Sequence, residues 1–127
     1  MSKSKRLTKQ ERISDEEVRL RQFFSSIPSD AQGVADGLIR EAAYMRVQLE
    51  EYRRDLDDKG YVEMFTQSEK MAPYERERPV ARLYNALNKN YQSILKQLSD
   101  LLPKPKAGGK PGEGDDGFDR FVDSKQA

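Results

Sequence analysis

The sequence predicts an all-α protein: a short N-terminal helix, then a long antiparallel helical hairpin, with disordered tails. Two segments support this, because each repeats apolar residues at alternating spacings of three and four. Such a repeat is typical of helices that pack lengthwise. In residues 79–102 the repeat is Val80, Tyr84, Leu87, Tyr91, Ile94, Leu98 and Leu101. In residues 30–58 it is Ala35, Leu38, Ala42, Met45, Leu49, Tyr52 and Leu56.

The ends of the two long helices carry signals of their own. Pro79 suits the first turn of a helix, where its missing N–H leaves no hydrogen bond unmade, and Pro103 stops that helix. Gly60 is the expected stop of the preceding helix. We therefore expect residues 61–78 to form a small β-hairpin or an extended loop between the two helices.

A shorter helix is predicted upstream. Residues 14–17, SDEE, have the capping-box pattern, in which a serine and a glutamate each bond the other's backbone N–H. The first helix should begin there and run to about Ser25. Residues 29–32, SDAQ, repeat the pattern after Pro28 and should open the second helix.

The chain divides into three regions. Residues 1–12 carry five basic residues and one acidic residue, a net charge of +4, and are predicted to be a flexible basic arm. Residues 13–102 form the helical domain. Residues 103–127 are a Pro/Gly linker and an acidic tail, whose charge from residue 112 onwards is −3. Opposite charges at the two ends suggest two different partners.

Composition narrows the function classes. The chain has no Cys and no His, which excludes disulfides, the usual zinc sites, thiol nucleophiles and imidazole catalysis. No pair of carboxylates is placed for acid–base work, so we expect a non-enzymatic protein without a cofactor. No apolar run approaches the roughly 18 residues of a membrane span, and the N-terminus lacks the apolar stretch of a signal peptide. A soluble intracellular protein is the default expectation.

The predicted core is thin, because hydrophobic and charged residues each make up 35% of the sequence. Small domains with thin cores are often completed by other copies of the chain. Val47, Leu83 and Leu95 lie outside the two apolar repeats. We therefore expect a homo-oligomer in which these three residues face neighbouring copies.

The basic arm is the main candidate for binding nucleic acid. Lysine and arginine neutralise phosphates and release counterions without reading sequence, and an oligomer would multiply a weak contact by avidity. The alternative is a solubilising tail with no partner. The candidate DNA-binding residues are Lys3, Lys5, Arg6, Lys9 and Arg12, with Arg19 and Arg21 as an extension if the first two helices form a helix-turn-helix.

Three other features of the sequence each allow a structural interpretation as well as a functional one. Asp55, Asp57 and Asp58 form either a divalent-ion site or, in the preferred interpretation, a solvated helix end partly paired with Arg53 or Arg54. The GGK at residues 108–110 lacks the strand and Ser/Thr of a phosphate loop and is interpreted as linker. Tyr52, Tyr84 and Tyr91 lie in the apolar repeats and should be core residues, whereas the role of Tyr44 stays open.

The C-terminal tail ends in a short aromatic motif, FDRFV, at residues 118–122. Such a motif can fold onto a groove of a partner. Phe118, Asp119 and Phe121 are the candidate docking residues, and a frayed tail without a partner is the alternative.

The order of the helices and the segments between them resembles that of the small terminase subunits of tailed bacteriophages, over about residues 34–103. The segments that carry the resemblance are LDDKGY at 56–61, YERERP at 74–79 and ARLYNALNKNYQSILKQLSDLLPK at 81–104. A basic N-terminus and a short extended element between the helices fit the same order.

The resemblance implies a ring-forming helical protein in the cytoplasm of the infected host cell. Such a protein recognises double-stranded viral DNA and hands it to the large terminase subunit, which carries the ATPase and the nuclease. In the family an N-terminal helical region contacts DNA, the central hairpin assembles the ring and the C-terminal tail contacts the motor. A clear helix-turn-helix is missing here. The alternative is a structural or scaffolding protein without a nucleic-acid role.

Overall fold

The computed structural model describes residues 6–104, and within them the chain is mostly helical with one small sheet. The elements are α1 (Lys9–Phe23), a 3₁₀ turn (Ser29–Ala31), α2 (Gln32–Lys59), β1 (Val62–Phe65), β2 (Tyr74–Glu77) and α3 (Pro79–Asp100). The helical class and the β-hairpin between the long helices are thereby confirmed. The predicted tail residues Lys3, Lys5, Phe118, Asp119 and Phe121 lie outside the described residues.

Helix α1 begins at Lys9, upstream of the start predicted at residues 14–17. The hydroxyl of Thr8 accepts from the backbone N–H of Glu11 at 3.1 Å, and Oε1 of Glu11 accepts from the backbone N–H of Thr8 at 2.8 Å. This is the capping box of α1, so the box predicted at residues 14–17 is wrong and those residues lie inside the helix. Lys9 and Arg12 consequently belong to a helix and not to a flexible arm.

The predicted capping box of the second helix is also absent. Residues 29–31 form a 3₁₀ turn that has no side-chain cap, and Gln32 donates its side-chain amide to the carbonyl of Ile27 at 2.8 Å. The other end of α2 follows the prediction. Gly60 adopts φ 84°, a left-handed conformation that favours glycine, and its N–H donates to the carbonyl of Leu56.

The β-hairpin is antiparallel, and its register pairs Glu63 with Arg76 and Phe65 with Tyr74. These four side chains share one face of the ribbon. Arg76 lies 2.7 Å from the Glu63 carboxylate and stacks over the Phe65 ring at 3.5 Å, and that ring meets Tyr74 edge-on at 5.9 Å. All of β2 is exposed, so the hairpin is held by its own side chains and not by the helical core.

The core lies where α1 and α3 pack against α2. Its largest fully buried side chains are Leu20, Leu56, Leu95 and Leu98. No helix within residues 6–104 is long and apolar enough to cross a membrane.

Two of the three predicted oligomer contacts are wrong, because Val47 and Leu95 are only 2% and 1% exposed inside the chain's own core. Helix α2 carries a second buried row, Ile39, Ala43 and Val47, beside the predicted repeat, and both α1 and α3 pack against this helix. The third residue, Leu83, remains 52% exposed.

Candidate nucleic-acid and assembly surfaces

The candidate DNA-binding residues at the start of α1 are paired with acidic residues of α2. The ammonium of Lys9 donates to Oε1 of Gln48 at 2.6 Å and lies 3.2 Å from Oε1 of Glu51. The guanidinium of Arg12 lies 2.8 Å from Glu50 and 3.5 Å from Glu51. These pairs join segments about forty residues apart, and they offset both positive charges within the chain.

The two arginines nominated further along α1 are paired as well. Arg19 donates twice to the carboxylate of Glu16, at 3.1 and 2.9 Å, and Glu16 is itself buried. Arg21 contacts Asp36 at 2.5 Å and lies 3.8 Å from Glu17. Of the nominated cations that the structure describes, only Arg6 lies outside such pairs, and it is exposed.

Helix α3 carries a basic row that was not predicted from the sequence. Helix α3 carries Arg82, Lys89 and Lys96, spaced seven residues apart and all exposed. Asp100, its last residue, is its single acidic residue. The sequence contains the signal, because Arg82, Lys89 and Lys96 follow the seven-residue periodicity of the apolar residues in this helix.

The acidic end of α2 is organised by Arg78, which precedes α3. One guanidinium nitrogen of Arg78 lies 2.7 Å from the Asp55 carboxylate, and another donates to the carbonyl of Gly60 at 2.7 Å. Lys59 lies 3.6 Å from Asp55 on the same helix. The partners of Asp55 are therefore Arg78 and Lys59, and not the predicted Arg53 or Arg54. Residues 6–104 contain no cluster of three or more metal-ligating side chains.

The tyrosines occupy different environments. Tyr91 is 3% exposed, as predicted for a core residue, and its hydroxyl has no hydrogen-bond partner within residues 6–104. Burial raises the pKa of the Tyr91 phenol, and the nearby Arg46 opposes this rise only in part. Tyr52 and Tyr84 are half-buried, whereas Tyr44 is exposed with the Lys9 ammonium 5.4 Å from its ring centre.

Each long helix also carries a row of apolar residues that its packing leaves partly exposed. The α2 row is Val34, Leu38, Met45 and Tyr52, and the α3 row is Leu83, Leu87, Ile94 and Leu101. Both rows have spacings of four, seven and seven, which places each within an arc of about 40° on the helix surface. Val34 and Leu83 are 62% and 52% exposed, and the other six residues are half-buried.

Comparisons of the chain with protein-family models, with curated proteins and with solved structures found no significant match.

Proposed function

We propose that the chain is a DNA-recognition subunit of a viral DNA-packaging motor, equivalent to a small terminase subunit. It assembles into a homo-oligomeric ring and binds double-stranded viral DNA. It then delivers the DNA to a large subunit that carries the ATPase and the nuclease, in the cytoplasm of the infected host cell. The chain itself performs no catalysis.

The observation that carries this proposal is the β-hairpin between two long helices. It lies between Gly60 and Pro79, where the resemblance to small terminase subunits requires a short extended element. Arg78 holds the base of the hairpin against Gly60. Because the end of α2 and the start of α3 meet there and the two helices pack together, we infer that they run in opposite directions as a helical hairpin.

Assembly into a ring is supported by the α2 row and the α3 row. A row of partly exposed apolar side chains along a long helix is typical of a surface that packs against another helix. If the contact joins the α2 row of one copy to the α3 row of the next, it is head-to-tail, and such contacts close into rings when the rotation permits. Leu83 is the predicted contact residue that remains available on this surface.

The tail supplies the proposed link to the motor. Phe118, Asp119 and Phe121 are the docking residues in this proposal, and they follow a Pro/Gly linker that gives the motif reach. Tail docking and ring assembly use different parts of the chain, so they can be separated by mutation.

One observation favours the alternative of a scaffolding protein without a nucleic-acid role. Lys9, Arg12, Arg19 and Arg21 are paired with acidic residues, which weakens the case for DNA contact through α1.

Native mass spectrometry of the full chain, with and without a DNA duplex, tests the proposed function. We expect an oligomer that takes up duplex at low salt. A monomer that binds no duplex would overturn the proposal, and an oligomer without DNA would support the scaffold.

A further inference from the structure

The outward face of α3 carries a straight row of cations. Arg82, Lys89 and Lys96 fall within an arc of about 40°, and at 1.5 Å per residue the row spans about 21 Å. The side chains of Arg82 and Lys96 are 83% and 73% exposed. Lys89 is exposed and has no ion pair among residues 6–104.

The residues between these cations include neutral polar side chains that can also contact phosphates. Asn85, Gln92 and Ser93 are exposed on the same side of α3, and each offers a hydrogen-bond donor. No carboxylate interrupts the face before Asp100. Lysine, arginine and neutral polar side chains are the groups that proteins use to contact phosphates.

The two ion pairs at the ends of the row are weak. Arg82 lies 3.7 Å from Glu77, and Lys96 lies 3.5 Å from Asp100, all at exposed positions. Exposed pairs of this kind contribute little free energy and are screened by salt. They therefore compete poorly with a phosphate, in contrast to the partly buried pairs that Arg12 makes with Glu50 and Glu51.

We propose that this face, made of Arg82, Lys89 and Lys96 with the intervening amides, binds the phosphate backbone of double-stranded DNA. The inference rests on the proposed function and names its DNA-contacting surface, which differs from the α1 residues that the sequence suggested. Each strand presents a phosphate every 3.4 Å or so along the duplex, so a row of about 21 Å meets several phosphates and reads no sequence. A ring repeats this row in every subunit and binds with avidity.

The test compares two triple variants of the full chain. The first carries Arg82→Gln, Lys89→Gln and Lys96→Gln. The matched control carries Arg40→Gln, Arg54→Gln and Lys70→Gln, which removes the same charge from exposed positions elsewhere. Binding to a fluorescent duplex of mixed sequence is followed by anisotropy at salt concentrations from about 50 to 300 mM. Circular dichroism and native mass report folding and assembly.

We expect the α3 variant to bind at least about tenfold more weakly. The slope of the logarithm of its binding constant against the logarithm of salt concentration should be smaller in magnitude by about two to three for each engaged subunit. The control should stay within about threefold of wild type, since surface charges elsewhere act only through the general field. Wild-type binding by the α3 variant, or equal losses in both variants, overturns this inference and leaves the proposed function standing. Loss of the oligomer in the α3 variant alone also overturns it, because the face would then be a contact between subunits. A wild-type chain that binds no duplex defeats the proposed function itself.

Discussion

At the scale of single residues, Arg78 joins the ends of three elements. Its guanidinium bonds Asp55 of α2 and the carbonyl of Gly60, while its backbone N–H donates to the carbonyl of Tyr61 at 2.8 Å. The side chain is only 14% exposed, so these bonds are partly shielded from water. Hydrogen bonds to charged partners are stronger in such a setting than on an open surface.

Replacing Arg78 with alanine should lower the free energy of unfolding by about 1 to 3 kcal/mol, because a charge-assisted contact is lost and Asp55 is left half-buried. Urea unfolding followed by circular dichroism measures the change. Arg82→Ala is the matched control: that side chain is 83% exposed and its pair with Glu77 is long at 3.7 Å. The control should change stability by less than about 0.5 kcal/mol. Equal effects of the two substitutions would contradict the role given to Arg78.

For the buried hydroxyl of Tyr91 we predict the opposite: its removal should not lower the stability of the fold. It has no hydrogen-bond partner among residues 6–104, so Tyr91→Phe removes an unsatisfied polar group and should be neutral or stabilising by up to about 1 kcal/mol. Thermal or urea unfolding near neutral pH checks this. A clear loss of stability would mean that the hydroxyl has a partner in solution.

The same variant changes the pH dependence of stability. Burial raises the pKa of Tyr91 in the folded chain, whereas an unfolded tyrosine ionises near pH 10 or so. As the pH rises above that value the unfolded state releases the proton first, so the wild type loses stability. Tyr91→Phe lacks this loss, and its advantage over the wild type should therefore grow between about pH 8 and about pH 11. A constant difference between the two proteins across that range would contradict the prediction.

At the scale of elements, the ion pairs between α1 and α2 would limit the contribution of Lys9 and Arg12 to the proposed DNA binding. Glu50→Gln with Glu51→Gln removes the carboxylates that hold Lys9 and Arg12. Two freed cations should strengthen duplex binding. They should also steepen the slope of the logarithm of the binding constant against the logarithm of salt concentration by about one to two for each engaged subunit. Anisotropy titrations against salt measure both quantities.

A control for this variant carries Glu41→Gln and Asp57→Asn, two exposed acidic residues of α2 that give the same change in net charge. If the control gains as much binding as the Glu50 and Glu51 variant, the gain reflects net charge and not the release of Lys9 and Arg12. No gain in either variant would mean that the start of α1 lies away from the duplex.

Local signals explain which elements were predictable from the sequence. Gly60 and Pro79 act on their own backbone, so the end of α2 and the start of α3 are placed correctly. The start of α1 is ambiguous, because residues 8–11 and residues 14–17 both match a capping box and only one can be used. Val47 is buried in the core where α1 and α3 pack against α2, and no local repeat predicts this packing between segments far apart in the sequence.

The candidate DNA-binding residues show the same dependence on contacts between segments that are distant in the sequence. The net positive charge of residues 1–12 indicated Lys9 and Arg12, but their acidic partners lie about forty residues further on and only the fold brings them together. The row on α3 needs no such contact, since heptad spacing alone places Arg82, Lys89 and Lys96 on one face. Helical spacing alone therefore predicts this basic face of α3, whereas the pairing of Lys9 and Arg12 requires the fold.

At the scale of the whole molecule, residues 6–104 carry no net charge and leave two rows of apolar side chains partly exposed. Residues 6–104 contain seventeen basic and seventeen acidic residues, so net attraction does not favour DNA and only a local arrangement of cations can. The apolar α2 and α3 rows stay partly exposed after the three helices pack. The proposed ring would account for both features, because it would bury the rows and repeat the α3 cations around a circle.

Leu83→Asp tests this view of the assembly directly. Leu83 is 52% exposed in the single chain, so the fold should tolerate the change, whereas a carboxylate in an apolar contact between copies is strongly unfavourable. Self-association measured by light scattering at micromolar concentration should weaken at least about tenfold. Val18→Asp is the control, since Val18 is 53% exposed on α1 and outside both rows. If both variants assemble like the wild type, the α3 row is not the contact. If Leu83→Asp also loses helicity, unfolding explains its failure to assemble; a folded monomer from Leu83→Asp beside an intact oligomer from Val18→Asp places the contact between copies on the α3 row.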